Sequence, residues 1–447
     1  MLPGTSRPRA AVLLIVVLLV GGLLGPTSPA HAADGTLVIS ALHVLEREYV
    51  EPVHPIELLN AAIAALRAAT HQSAVALPDI PPYVTEPDAA NQFLADFARA
   101  LVVGPLPETQ LAYAATRGML DSLHDSHTYY LDPQQLQRSR EELLGRPGFS
   151  GIGVTLVSRA DDAGTKWIFV EDVVPGAPAE GAGIKRFDRI VGVDGSSLRN
   201  ATVTEASQAI RGPSGTTVVL SIQRRDQTLS ISVVRGPIQS QPVQTRFIEP
   251  GVAYARLFTF SRGAGQELAR QLLALADQAP VSSIILDLRA NPGGLILEAA
   301  RVGGLFLPPR TVLARVQDRQ DASVLRSDGT PLFAETPLVV LIDGGSASAS
   351  EIVTGALKEH HRATIVGEKT AGALGGAVDV RLPEGGMSVT VERIVTPEGA
   401  LVEGTGIAPD MPVALTVADM MRGEDTQLHA ALHAIGAFWT GRWLRVA

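Results

Sequence analysis

The chain has no cysteine, and that absence removes disulfides, thiolate-bound zinc, iron–sulfur clusters, a cysteine nucleophile and a lipidated N-terminal cysteine together. Any side-chain nucleophile is therefore an oxygen or an amine. Aromatic residues are scarce at 4%, so the cores must be assembled from Ala, Val, Leu and Ile, which hold the apolar fraction at 46% and exclude a disordered chain. Positive charge is also short: 37 Lys and Arg face 46 Asp and Glu, a net charge of −9. That balance argues against a nucleic-acid partner. Glycine (43) and proline (30) are plentiful and predict many turns. The 447 residues suffice for two to four domains at roughly 100–200 residues each.

At the start, Arg7 and Arg9 precede an apolar run over 10–24, broken by Gly21 and Gly22, and the small-x-small site Ala30-His31-Ala32. This is the order of a secretory signal peptide over 1–32, cleaved after Ala32; the run is shorter than the ~20 residues a spanning helix needs. An uncleaved membrane anchor is the alternative. Either way the bulk of the protein is expected outside the cytoplasm, as a secreted, periplasmic or envelope-associated chain.

Residues 33–146 read as a helical region, with Leu58, Leu59, Ala62, Ile63 and Leu66 at three- and four-residue spacing. Its last helix, 108–123, ends in the turn His124-Asp125-Ser126-His127-Thr128-Tyr129-Tyr130-Leu131-Asp132-Pro133. Over 147–236 short β-branched runs (151–157, 167–174, 189–193, 216–223, 229–234) are bounded by Gly, Pro and Asp, with short helices near Ala179 and over 204–210. From 237 to 447 strands and helices alternate, which predicts an α/β domain with a largely parallel sheet, closed by an amphipathic helix over 427–438.

The segment Leu338-Val339-Val340-Leu341-Ile342-Asp343-Gly344-Gly345-Ser346-Ala347-Ser348-Ala349-Ser350-Glu351 runs from a buried strand through two glycines into a helix. Such a turn can hold a serine at a helix N-terminus, where backbone N–H groups and the helix dipole stabilise an oxyanion. The same residues are also a capping box, Ser348 as N-cap and Glu351 as N3. The strand 284–288 empties likewise into Arg289-Ala290-Asn291-Pro292-Gly293-Gly294, either an anion-facing turn or an ordinary one. In an open α/β sheet both strand ends would share the edge where such folds place their sites.

These two motifs, with Leu45 to Val53, Arg211-Gly212-Pro213-Ser214-Gly215-Thr216 and Glu403-Gly404-Thr405-Gly406-Ile407-Ala408-Pro409-Asp410, resemble the C-terminal processing peptidases and their tricorn-like relatives, serine peptidases that carry a PDZ domain. The resemblance implies a ClpP/crotonase-like α/β catalytic core with an N-terminal helical region and an inserted PDZ β-sandwich module. It places the nucleophile on Ser348 and the oxyanion donors on the N–H groups of Gly294 and Ala349, with no metal or organic cofactor. One departure stands out. The family's general-base lysine, in a Gly-Lys-Gly turn after Gly-Glu-Lys-Thr, would fall on Ala373, and its assisting glutamine on Ala377.

Without a base a serine hydroxyl is a weak nucleophile. The tricorn-like relatives use a histidine from the helical region and a late glutamate, positions matched by His127 and Glu403. An imidazole, with an ordinary pKa near ~6.5, suits proton transfer at neutral pH, and a carboxylate behind it fixes its tautomer. The expected triad is Ser348, His127 and Glu403. Other readings stand beside it: His127 closing its turn with Asp125, a zinc pair of His124 and His127, and Lys369 as a displaced base. His360 and His361 suit a helix C-terminus.

Gly148-Phe149-Ser150-Gly151-Ile152-Gly153-Val154 resembles the PDZ carboxylate-binding loop and first strand. N–H groups at Gly151, Ile152 and Gly153 would receive a C-terminal carboxylate while the peptide adds a strand to the sheet edge; the plain alternative is a glycine-rich hairpin. The implied function is an exported serine endopeptidase acting on polypeptides, probed through their C-termini. The rivals are a pseudo-peptidase that lost its base and serves as a peptide-binding adaptor, and an unrelated hydrolase.

Overall fold

The structure is a computed structural model that describes residues 34–70, 76–144, 150–238 and 241–439. The leader over 1–32 and the pair Gly148-Phe149 lie outside the described residues.

Four helices open the chain: α1 (Thr36–Glu48), α2 (Pro55–Ala69), α3 (Glu86–Val103) and α4 (Glu108–Asp121). Pro55 and Pro87 sit in first turns, where a missing N–H is harmless. The apolar stripes bury Leu42 and Leu45 of α1, Leu59 and Ile63 of α2, Phe93 of α3 and Met119 of α4 in one core. The turn after α4 leads into β1 (Tyr129–Leu131) and α5 (Pro133–Leu143). The sequence shows only a turn here; β1 is a strand because it pairs with residues 386–388 of the last third of the chain.

The middle module comprises β2 (Ser150–Gly151), β3 (Val154–Ala160), β4 (Lys166–Val173), α6 (Pro178–Gly181), β5 (Arg189–Val193), β6 (Ser196–Ser197), α7 (Val203–Ile210), β7 (Thr217–Arg224), β8 (Gln227–Val234) and β9 (Gly236–Pro237). Its antiparallel sheet runs β3-β4-β5-β7-β8, with β6 on β5 and a separate β2–β9 pair. Ile168, Val170, Ile190, Val218, Leu220 and Ile222 form the core. β3 is an edge strand.

The last third holds β10 (Val243–Glu249), β11 (Val252–Leu257), α8 (Ala264–Ala276), β12 (Ser283–Asp287), α9 (Ile296–Phe306), β13 (Val312–Gln317), β14 (Ala322–Arg326), β15 (Leu338–Ile342), α10 (Ala349–Glu359), β16 (Thr364–Gly367), β17 (Gly375–Arg381), β18 (Gly386–Val395), β19 (Met411–Pro412), α11 (Val417–Arg422) and α12 (Thr426–Trp439). One sheet runs β10-β11-β12-β15-β16-β19, parallel except for β10–β11. β12 and β15 are buried along their whole length, as continuous apolar runs require. Residues of α8, α9 and α10 share the core on one face and residues of α12 that on the other. A second, antiparallel sheet, β1-β18-β13-β14 with β17 also on β18, is absent from the sequence reading. Among the described residues no helix is long and apolar enough to cross a membrane.

Candidate active site

β12 and β15 pair in parallel from Ile284↔Leu338 to Asp287↔Leu341, so their C-terminal ends lie side by side. The two loops that follow are knitted together. Asp343 Oδ1 accepts from the N–H of Ala290 (2.8 Å) and of Gly345 (2.9 Å). Ser346 Oγ donates to Leu288 O at 2.8 Å, and Asn291 O accepts from Ala347 N–H (3.0 Å) and Ser350 Oγ (2.9 Å). Gly293 has φ +95°, and a Cβ there would lie 2.8 Å from Ala347 O, Ala349 N and Ser348 Cβ. Only glycine fits against the serine at that point.

Ser348 is the residue on which this packing converges. Its φ of 54° with ψ −116° is strained for a side chain with a Cβ, as a sharp strand-to-helix turn demands. It is the N-cap of α10, at the positive end of that helix. Its N–H is shared between Ala373 O (2.8 Å) and Glu351 Oε2 (3.0 Å). The Glu351 half of the capping box therefore exists, and the turn that strains Ser348 is also the cap of the helix. The N–H groups of Gly294 and Ala349 have no acceptor among the described residues.

Ala373 stands beside Ser348, through its backbone, and offers only a methyl group. Lys369 is exposed, with its Cγ near Gly406, and makes no hydrogen bond to Ser348. His127 comes to this loop from the turn before β1. A Cβ on Gly375 would lie 2.9 Å from His127 Cδ2. The ring's Nε2 is buried without a hydrogen-bond partner and lies 3.9 Å from Glu403 Oε2. Glu403 accepts from Leu374 N–H at 2.6 Å and from Ser126 Oγ at 3.3 Å. Ser348 Oγ makes no hydrogen bond to His127 or Glu403, so the three groups share one neighbourhood without being linked. Asp125 closes the turn through the His127 backbone N–H (2.9 Å) and the Thr128 hydroxyl (2.7 Å), which leaves the ring unengaged. The His124–His127 zinc pair gains no third ligand: the one trio of His, Asp or Glu close enough to share an ion among the described residues is His43, Glu46 and Glu86, on α1 and α3.

The family model for peptidase family S41 matches residues 251–413, and that for the PDZ domain matches residues 143–223. The carboxy-terminal-processing protease of Bartonella bacilliformis is 35% identical over 334 residues, 72% of this chain and 74% of that protein. The chain belongs to the S41 family of carboxyl-terminal-processing serine proteases. A second relative in this family, the carboxyl-terminal-processing protease of Picosynechococcus sp., is 35% identical over 336 residues, 72% of this chain and 78% of that protein. Among solved structures, the photosystem II D1 C-terminal processing protease superposes with a TM-score of 0.54 at 26% identity, covering 86% of this chain and 94% of that one.

In this S41 protease the PDZ domain touches the site directly. Arg159, on edge strand β3, pairs with Glu368 Oε2 at 2.8 Å and lies 3.8 Å from Asp343 Oδ2, the carboxylate that knits the two loops. At the other end of the same strand, Ile152 O and Gly153 O accept from Ala179 N–H and Val174 N–H, whereas the N–H groups of Ile152 and Gly153 have no partner among the described residues. Gly151 pairs with Gly236. Such unengaged N–H groups beside an unpaired strand edge can take an anion and an added strand. Arg159 escapes a sequence reading, because a charged residue near a strand end carries no local signal; Asp343 and Asn291 lie inside the two motifs, but their work as the acceptors that knit the loops does not show there.

Proposed function

We propose that this protease is exported by the leader over 1–32, receives polypeptide C-termini on the PDZ loop Gly151-Ile152-Gly153, and cleaves with Ser348 as nucleophile, His127 as general base and Glu403 as its orienting carboxylate. Attack of Ser348 Oγ on the scissile carbonyl places negative charge on its oxygen, to which the N–H groups of Gly294 and Ala349 donate hydrogen bonds. The proton passes to His127 and on to the leaving amine, and water then resolves the acyl-enzyme by the same route. The observation that carries this reading is the His127 ring: half-buried, its Nε2 out of solvent and unpartnered, 3.9 Å from Glu403, and seated on the loop whose Ala373 supplies no base. Contacts of this kind tighten when substrate binds, so the unlinked resting arrangement is compatible with the triad.

The deciding experiment is cleavage of an unfolded protein and a C-terminally tagged peptide by wild type and by Ser348→Ala, His127→Ala, Glu403→Ala and Lys369→Ala. Ser348→Ala and His127→Ala should each lose a factor on the order of 10³ or more, Glu403→Ala about 10–100-fold, and Lys369→Ala little. Full activity in His127→Ala with loss in Lys369→Ala would overturn the base assignment.

A further inference from the structure

Glu351 is the meeting point of the segments that carry the proposed triad. Its side chain is fully buried, and among the described residues no cation pairs with it. All its partners are neutral donors. Oε2 accepts from Ser348 N–H and Ala373 N–H, both at 3.0 Å; Oε1 accepts from Gly372 N–H at 2.8 Å and from the Thr370 hydroxyl at 2.6 Å. The Thr370 hydroxyl in turn accepts from Ile407 N–H at 2.7 Å, Thr370 N–H donates to Ile407 O at 3.1 Å, and Gly404 N–H donates to Gly372 O at 2.7 Å. One carboxylate thus ties the serine turn, the loop at Ala373 and the loop that follows Glu403.

Capping alone does not require this. The capping box of α7 does the same local task with Glu205 exposed to solvent. Burying a carboxylate without a counter-charge is costly, and burial pushes the Glu351 pKa up although the four donors pull against it. Only the ionised form can accept all four donors at once, two at each oxygen.

We propose that Glu351 is a positioning residue of the protease: it holds Ser348 in its strained backbone conformation and, through Thr370, sets the Glu403 loop against it. The proposal rests on the reading of Ser348 as nucleophile. Glu351→Gln keeps the shape but turns an NH₂ group onto two of the donors. Thr370→Val keeps the volume and removes the relay to Ile407.

The test measures, on the full chain, the rate at which a fluorophosphonate labels Ser348, together with kcat and KM on a C-terminally tagged protein and the thermal unfolding curve. Glu351→Gln should label about a hundredfold more slowly, with kcat reduced by a similar factor and KM within about twofold; Thr370→Val should show about a tenfold effect of the same kind. A folded variant of either type that labels at the wild-type rate, or that changes KM alone, overturns the proposal. Should Glu351→Gln fail to fold, Thr370→Val decides. A wild type that takes no label at Ser348 overturns the nucleophile assignment and this proposal with it, whereas a labelled wild type with unchanged variant rates overturns this proposal alone.

Discussion

Gly375 lies against the ring that the proposed mechanism needs. A methyl group there would meet His127 Cδ2 at 2.9 Å and Thr390 Cγ2 at 3.3 Å. The ring is the softer neighbour, so Gly375→Ala should shift the imidazole by a few tenths of an ångström and leave the fold intact. Displacements of this order at a reacting group cost on the order of 10–100-fold in rate. The expected outcome is a fall of about that size in kcat with an apparent Tm within about 3 °C of wild type; unchanged kcat would place the ring outside the reaction. The sequence marks Ser348 because its signals are local: a strand, two glycines, small residues and a helix start. It also marks the missing lysine, because Ala373 occupies a fixed position in a short motif. Gly375 carries no such signal. It reads as half of a glycine pair, and the reason for it stands in a turn from another part of the chain.

At the scale of elements, β1 does more than its three residues suggest. By pairing with β18 it fixes the His127 turn to the catalytic part of the molecule, and Thr128 adds a polar link: its hydroxyl donates to Asp125 Oδ2 at 2.7 Å and accepts from Thr390 N–H at 3.0 Å. Thr128 and Thr390 are both buried. Thr128→Val would leave a buried N–H and a carboxylate oxygen without partners, at a cost of about 1–3 kcal/mol, and should loosen the histidine turn. Denaturant unfolding and kcat together check this, the expected result being a loss in both; a lowered midpoint with unchanged kcat would mean that the turn holds its shape without the link. The inner strands of the parallel sheet, β11, β12, β15 and β16, were legible because they are almost wholly buried: Leu338–Ile342 is an unbroken apolar run with the bounds its composition predicts. β17 and β18 were not. β17 begins in Gly375-Gly376-Ala377 and, outside its sheet, looks like a loop, and β18 mixes polar and apolar residues because its ends serve different partners.

Across the whole molecule, a buried charge cluster fastens the PDZ domain and the closing helix to the parallel sheet. Asp287 at the end of β12 pairs with Arg256 of β11 (2.8 Å) and Arg289 (2.6 Å) and accepts from the Tyr254 hydroxyl (2.6 Å). Asp425, just before α12, pairs with Arg289 (2.9 Å) and with Arg186 of the PDZ domain (2.6 Å), and Arg186 also reaches Glu171 of β4 at 3.2 Å. No stretch of sequence announces this cluster, since its members come from separate parts of the chain and charged residues are ordinarily surface residues. Burial alone would raise the Asp287 and Asp425 carboxyls, but the neighbouring guanidinium groups outweigh it and hold both well below the ordinary carboxylate range; burial and Asp287 push the Tyr254 hydroxyl up to about 12. A carboxyl depressed in the folded state contributes stability that is complete above its unfolded pKa, roughly 3.9, and drains away as pH falls below that value toward the folded pKa, because the unfolded chain takes the proton first. Asp425→Asn should therefore lower the apparent Tm at pH 7, by less than the ~3–5 kcal/mol cost of stranding a buried charge outright, since Arg289 keeps Asp287 and Arg186 keeps Glu171. The gap between variant and wild type should narrow as pH falls from 7 to 3, since only the wild type has this proton to gain. Thermal unfolding at the two pH values checks the prediction, and a gap that stays constant would show that folding does not depress the Asp425 carboxyl.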